Sequence, residues 1–338
     1  MFTRIPFSPI RETVYSPQEL MAGLDAADYR SFARTPDFKC FAYYVRHGRA
    51  APKDPLSSIY ESLHDNSITQ ATLAFLKGQK KVAAVMGGHD EPRDSQTYAA
   101  VARMARALSR KGFLMTSGGG PGAMEATHLG ALLQNEPDGA LGEALKKLNG
   151  QKALPADAGK VITPAGKIDD EIVRELHDWI MPAFTLSTAV KRPGESLAVP
   201  TWYYGHEPTT PCATKIGKYF QNSLREDGLI TIAAHGIVFA PGKAGTLQEI
   251  FQDAVRNYYR TPPNPFSPMV FYDKTYWTRA LPATRLLEEL FTRNNRGPDY
   301  KKYVLVTGDE QEAIDFLVAN APPANSHLRR LKSLGLLF

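Results

Sequence analysis

The sequence predicts an α/β protein: a doubly wound, Rossmann-like parallel sheet with an N-terminal helical extension. Three observations carry this reading. Short apolar runs at 82–86, 113–116, 237–240, 268–272 and 303–307 lack the alternation of a half-exposed strand, so each reads as a strand buried on both faces. Segments of helical periodicity separate them, and strands alternating with helices build a parallel sheet. Two of the strand-to-helix turns, at 117–122 and 241–246, are rich in glycine, the residue that lets a backbone approach a ligand closely.

Residues 1–78 read as an N-terminal extension or small domain. Ser16, Pro17 and Glu19 stand in the order of a capped helix start, and 55–63 and 67–76 suggest two further short helices. Residues 79–322 have the pattern of one Rossmann-like domain. Its first strand, 82–86, ends at Gly87 and Gly88. Tyr98, Val101, Ala102, Ala105 and Leu108 then form one stripe of a helix over 95–110. The strand at 113–116 runs into Ser117-Gly118-Gly119-Gly120-Pro121-Gly122, with a helix starting near Pro121. Residues 135–170 are polar and rich in Gly, Pro and Lys, which predicts an inserted loop or lid. A helix over 169–180 and a strand over 196–199 follow. Ile216, Tyr219, Phe220 and Leu224 predict an amphipathic helix over 214–227, stopped by Gly228. Beyond the strand at 237–240, Leu247, Ile250, Phe251 and Ala254 define the next helix, with Glu249 on its first turn. The last two strands each lead into a helix, over 277–291 and 309–318. Residues 323–338 form a C-terminal tail, of which 328–338 are expected to pack on a neighbouring subunit.

Of 338 residues, 43% are hydrophobic and 22% charged, an ordinary balance for a globular protein able to bury a core. The net charge of +5 comes from Lys and Arg scattered along the chain, so no nucleic-acid partner is expected; that would need a clustered basic face. Cys40 and Cys212 lie far apart without a CxxC partner, which indicates neither a disulfide framework nor a zinc site. No apolar run approaches a membrane span and the first residues lack the core of a signal peptide, so a cytoplasmic protein without a membrane partner is expected.

The chemistry concentrates in three stretches. At 241–246, Pro241-Gly242-Lys243-Ala244-Gly245-Thr246 joins a strand to a helix N-terminus, whose unpaired N–H groups and dipole favour an anion such as phosphate. Glu249 lies close by, and two anions side by side suggest chemistry rather than binding. The glycines at 118, 120 and 122 aim a second helix N-terminus at a ligand, but they lack the GxGxxG spacing and follow the second strand, which argues against a dinucleotide fingerprint. Out of the strand at 196–199 comes Thr201-Trp202-Tyr203-Tyr204-Gly205-His206-Glu207, at a strand end where open α/β sheets bind ligands. A core or interface role suits Trp202 and Tyr203 equally. His206-Glu207 lacks HExxH spacing, so no metal is expected.

With these loops and Arg225 in view, the chain resembles the LOG-type (Lonely Guy) phosphoribohydrolase family, formerly "putative lysine decarboxylase". That family pairs a GGG loop, here 117–126, with a PGGxGTxxE loop, here Pro241 to Glu249. The segments PTWYYGHEP, YFQNSLREDG and GTLQEIFQDAVRNYY look more like the bacterial pyrimidine/purine nucleotide 5′-monophosphate nucleosidases than the short cytokinin-activating enzymes. The resemblance spans residues 81–310. It implies a hydrolase that cleaves the N-glycosidic bond of a nucleoside 5′-monophosphate to free base and ribose 5-phosphate, without a cofactor, as a homo-oligomer (dimer or tetramer). Glu249 and Arg225 match the family's catalytic glutamate and arginine. Gly87, Gly88, Gly118, Gly119, Gly120, Gly122, Met124 and Glu125 on one side, and Gly242, Lys243, Ala244, Gly245 and Thr246 on the other, are the expected phosphate and nucleotide contacts. Trp202, Tyr203, His206, Glu207 and Asn222 are expected at the base.

One departure is Lys243, which replaces the second glycine of PGG and requires φ below zero there. Two other readings stay open at this level. Arg225 and Glu249 would also serve as an interhelical ion pair, and the fold would also suit a non-catalytic sensor that binds a signalling nucleotide or NAD derivative and passes the signal through an oligomer interface; the N-terminal region leaves room for a regulatory nucleotide. Decarboxylation is disfavoured, because no lysine stands out as the anchor of pyridoxal phosphate.

Overall fold

A computed structural model of the chain describes residues 5–203, 208–261, 264–293, 295 and 297–334. In the extension, α1 (Pro17–Leu20) has Ser16 as its N-cap, accepting from the Glu19 amide, and α2 (Pro36–Arg46) has Thr35 in the same role. The two short helices expected at 55–76 are one 22-residue helix, α3 (Pro55–Leu76), capped by Asp54. Then come β1 (Lys81–Met86), α4 (Gln96–Arg110), β2 (Phe113–Ser117), α5 (Ala123–Leu132), α6 (Ala140–Leu148), α7 (Asp170–Ala189), β3 (Ser196–Ala198), β4 (Lys215–Ile216), α8 (Asn222–Ile232), β5 (Ile237–Phe239), α9 (Ala244–Tyr258), β6 (Met269–Tyr272), α10 (Ala283–Arg293), α11 (Gly297–Tyr303), β7 (Val304–Thr307), α12 (Glu310–Asn320) and α13 (Ser326–Ser333).

The seven strands form one all-parallel sheet in the order β4-β3-β2-β1-β5-β6-β7. The chain winds outward from β1 to β4, then returns to lay β5 against the other side of β1, with Met86 opposite Phe239. That return makes the gap beyond β1 and β5 the topological switch point, where open parallel sheets bind ligands. Side chains of β1 and β5 alternate between two cores: Val82, Ala84, Met86, Ile237 and Phe239 face one, Ala83, Val85 and Val238 the other. Both faces are covered by helices, as the continuous apolar runs require. The extension shares the first of these cores, with Tyr15, Leu20, Phe41, Ile68 and Leu76 packed in the same cluster as the strands.

Four sequence expectations change here. Residues 214–221 are not helical. Ile216 pairs in β4 with Ala198 and, through two backbone bonds of 2.9 Å, with Tyr15; the Asp65 carboxylate accepts from the Phe220 and Gln221 amides at 2.9 and 2.8 Å. The spacing of Ile216, Tyr219 and Phe220 imitates a helix, but partners remote in sequence decide the backbone. α8 therefore starts at Asn222 and runs through Gly228, a cost of about 1 kcal/mol relative to alanine that the packed helix carries. The stretch at 135–170 is not a lid: Leu141, Ala144 and Leu148 of α6 are buried in the core on the α4 side. The helix expected at 277–291 is interrupted at Pro282, with one π-helical turn at 276–280 before α10. Finally, the C-terminal segment packs on its own chain, with His327 and Leu331 of α13 buried and His327 Nε2 3.1 Å from the Leu76 carbonyl. Among the described residues no helix is long and apolar enough to cross a membrane.

Candidate active site

Three turns meet at the switch point. The Gly88 amide donates to the Pro241 carbonyl (2.9 Å), the Ala123 amide to the Gly88 carbonyl (3.1 Å), and the Ala240 amide to the Met86 carbonyl (2.8 Å). The ends of β1 and β5 and the start of α5 are thus stitched into one floor. Gly87 and Gly88 belong to this floor rather than to a ligand: a Cβ on Gly87 would lie 2.8 Å from that of Ala123, and the polar groups of Gly88 are already bonded. The Gly119 amide is likewise taken, by Ser117 Oγ at 3.2 Å. Gly119 and Gly122 need glycine for another reason, their φ values of +71° and +67°.

The second loop opens onto this floor. α9 begins at Ala244, so Glu249 falls on its second turn rather than its first. Among the described groups, the amides of Gly242, Lys243, Ala244, Gly245 and Thr246 find no acceptor, nor do those of Met124 and Glu125 at the start of α5. Two helix N-termini therefore offer N–H groups at one place. The loop is held rigidly by Tyr276, whose hydroxyl donates to the Gly242 carbonyl (2.6 Å), and by Trp277, whose indole donates to the Phe239 carbonyl (2.9 Å). Lys243 has φ −101°, so its Cβ is accommodated without strain. Its ammonium pairs with Asp90 at 2.5 Å, and that hydrogen bond holds the Asp90 carboxyl below its usual range. Gly242 has no room for a side chain, since a Cβ would come within 2.2 Å of Thr246 Oγ1.

Arg225, on the first turn of α8, and Glu249 are brought together across this floor, Nη1 to Oε1 at 4.0 Å, with side chains only 7% and 14% exposed. Arg225 Nε donates to the Val199 carbonyl at 2.9 Å, fixing the guanidinium at the end of β3. Its Nη2 lies against Gly118 and is 4.0 Å from Met124 Sδ. A Cβ on Gly118 would stand 2.0 Å from Nη2 and 2.5 Å from Sδ, both movable side-chain ends. Gly118→Ala is accordingly expected to displace Arg225 without unfolding the protein. Stability should change by less than about 1 kcal/mol, read by thermal melting.

Two expected contacts lie elsewhere. Glu125 is fully buried and turned from the floor: Arg93 Nε and Nη2 donate to its two oxygens at 2.7 and 2.8 Å, and Tyr98 adds a third bond at 2.8 Å. Burial opposes the charge of Arg93, yet the Glu125 carboxylate holds its pKa above the ordinary value. Trp202 is 1% exposed and belongs to the core under the extension, its Nε1 donating to Asp37 at 2.8 Å. Tyr203 is exposed and Asn222 donates to Glu226 at 2.8 Å beside the arginine. His206 and Glu207 lie outside the described residues.

Asp90, Arg93 and His128 did not stand out in the sequence. The first two sit in His89-Asp90-Glu91-Pro92-Arg93-Asp94, a dense charged turn at a strand's carboxyl end, which was the available signal. His128 had none, being one polar residue in the apolar α5. It joins Ser117 Oγ (2.8 Å) to Ser196 Oγ (2.9 Å) and so fixes the first glycine loop against β3. Burial pushes its pKa down to about 3 from 6.5. Because the unfolded chain takes up this proton first, the contribution of neutral His128 is intact above pH 6.5 and is lost as pH falls toward 3. Denaturant titrations from pH 6.5 to 4.5 should show a slope near 1.4 kcal/mol per pH unit from this group that disappears in His128→Gln.

Compared with protein-family models and with curated proteins, the chain matches none.

Proposed function

We propose that the chain is a nucleoside 5′-monophosphate nucleosidase, hydrolysing the N-glycosidic bond to free base and ribose 5-phosphate. The observation that carries this reading is the Arg225–Glu249 pair, held 4.0 Å apart between two helix N-termini at the switch point. A dianionic 5′-phosphate suits the free amides from Gly242 to Thr246 and those of Met124 and Glu125. The sugar would then lie over the carboxylate. As the bond between the anomeric carbon and the base nitrogen breaks, its electron pair leaves with the nitrogen, and positive charge develops on the sugar. Glu249 stabilises that charge and takes a proton from the water whose oxygen bonds the anomeric carbon; that proton is then released and, through solvent, neutralises the base nitrogen that left with the electron pair, which returns Glu249 to its carboxylate. Arg225 cannot serve as a base, being always charged; it holds the carboxylate and the substrate in register.

A homo-oligomer accompanies the reading. The direct test is incubation with AMP, GMP, CMP, UMP and IMP, each assayed for free base and ribose 5-phosphate. Base release from at least one supports the proposal. Nucleotides that raise the melting temperature without base release would replace the enzyme with a sensor.

A further inference from the structure

Two turns flank the switch point, one after β1 and one after β5, and an ion pair of exposed side chains joins them. Lys243 Nζ donates to Asp90 Oδ2 at 2.5 Å. The two side chains are 77% and 48% exposed, so this is not a buried pair on which the fold depends. Both residues lie at the edge of the free amides. Lys243 contributes its own amide to that set. Asp90 Oδ1 stands 3.0 Å from the point where a Cβ on Gly88 would lie, and that point is 3.8 Å from the Gly242 Cα. The carboxylate therefore overhangs the floor beside the phosphate loop.

A carboxylate beside N–H groups suited to a dianion works against filling the site, because like charges repel. Asp90 keeps its charge at neutral pH, since the hydrogen bond from Lys243 holds its carboxyl below the usual range. While the pair is closed the ammonium offsets that charge, but its attraction is then spent on Asp90. Exposed ion pairs of this kind are weak. The lysine stem is long and flexible, and a phosphate dianion carries more charge than a carboxylate. The two anions compete for one ammonium.

Resting on the reading of this floor as a phosphate site, we propose that Asp90 sets its affinity: it holds Lys243 while the site is empty and yields it to an entering phosphomonoester. Each binding event then gives up one ion pair and leaves the bared carboxylate near the phosphate. Both effects lower affinity. The consequence falls on product release, because nucleoside monophosphate and ribose 5-phosphate carry the same phosphate. Tighter holding of both alike would retain the product without speeding the chemistry.

The test measures calorimetric Kd for inorganic phosphate and for ribose 5-phosphate in the wild type, Asp90→Asn, Lys243→Gln and the double variant, beside AMP hydrolysis. Asp90→Asn should tighten both ligands by about fivefold, a gain that a damaged fold does not produce, and Lys243→Gln should weaken both by about fivefold. The gain from Asp90→Asn should be at least about twofold smaller in the Lys243→Gln background, where repulsion is relieved but no ion pair is given up. No gain, or equal gains in the two backgrounds, overturns the exchange of Lys243, while base release from AMP leaves the nucleosidase standing. Coupled gains without base release uphold the exchange and remove the nucleosidase. Binding of neither ligand by any of the four proteins overturns the anion site and this proposal with it; AMP hydrolysis, read separately, then decides the nucleosidase.

Discussion

Glu249→Gln is expected to lose base release by a factor of a hundred to ten thousand while its fold and nucleotide affinity change little. The amide keeps the shape of the carboxylate but can neither take a proton from water nor oppose charge on the sugar, and general-base catalysis contributes about that range. On the proposed reading the phosphate would be held by the backbone amides of 242–246, which the substitution leaves in place. The 4.0 Å contact with Arg225 is long, so its loss should cost less than about 1 kcal/mol of stability. A fall in kcat with KM nearly constant would mark an interaction made chiefly in the transition state. An equal fall in affinity would instead place Glu249 in ground-state binding.

The largest effect on stability is expected at the Arg93–Glu125 pair. Both side chains are essentially excluded from solvent, at 1% and 0% exposure. The guanidinium also donates to the Trp179 and Gln151 carbonyls at 2.8 and 3.2 Å and lies 4.1 Å from the Trp179 ring centre. It thereby ties the turn after β1 to α5 and α7. Glu125→Ala leaves this cation without its counter-charge and should destabilise the protein by about 3–5 kcal/mol, read from denaturant midpoints. The paired change Arg93→Met with Glu125→Leu should recover much of that loss, because the penalty comes from one unpaired buried charge rather than from the missing attraction. A double variant no better than Glu125→Ala would show that the Arg93 bonds to Trp179 and Gln151 dominate.

Legibility in the sequence followed the range of the forces involved. Strands buried on both faces announced themselves as apolar runs, and the glycine turns at 118–122 and 242–246 marked the meeting point, because close backbone approach requires those residues locally. Glu249 stood out by its place just after the second glycine turn, whereas Arg225 was singled out only by the family resemblance; the structure brings the two within 4.0 Å. The backbone of 214–221 could not be read locally, since Asp65 and Tyr15 fix it from far along the chain. The role of Glu125 was hidden for the same reason: a carboxylate on the first turn of a glycine-led helix looks like a site residue until Arg93 is seen beside it. Trp202 likewise stood among ionisable residues in sequence, but Asp37 of α2 draws it into the core.

The measurement that bears most directly on the account is product analysis of AMP and GMP incubated with the purified protein, with Glu249→Gln in parallel. Equimolar free base and ribose 5-phosphate from the wild type, and neither from the variant beyond a trace, is the predicted result. Intact nucleotide in both incubations, while melting temperatures rise with added nucleotide, would contradict it and leave a binding protein in place of an enzyme.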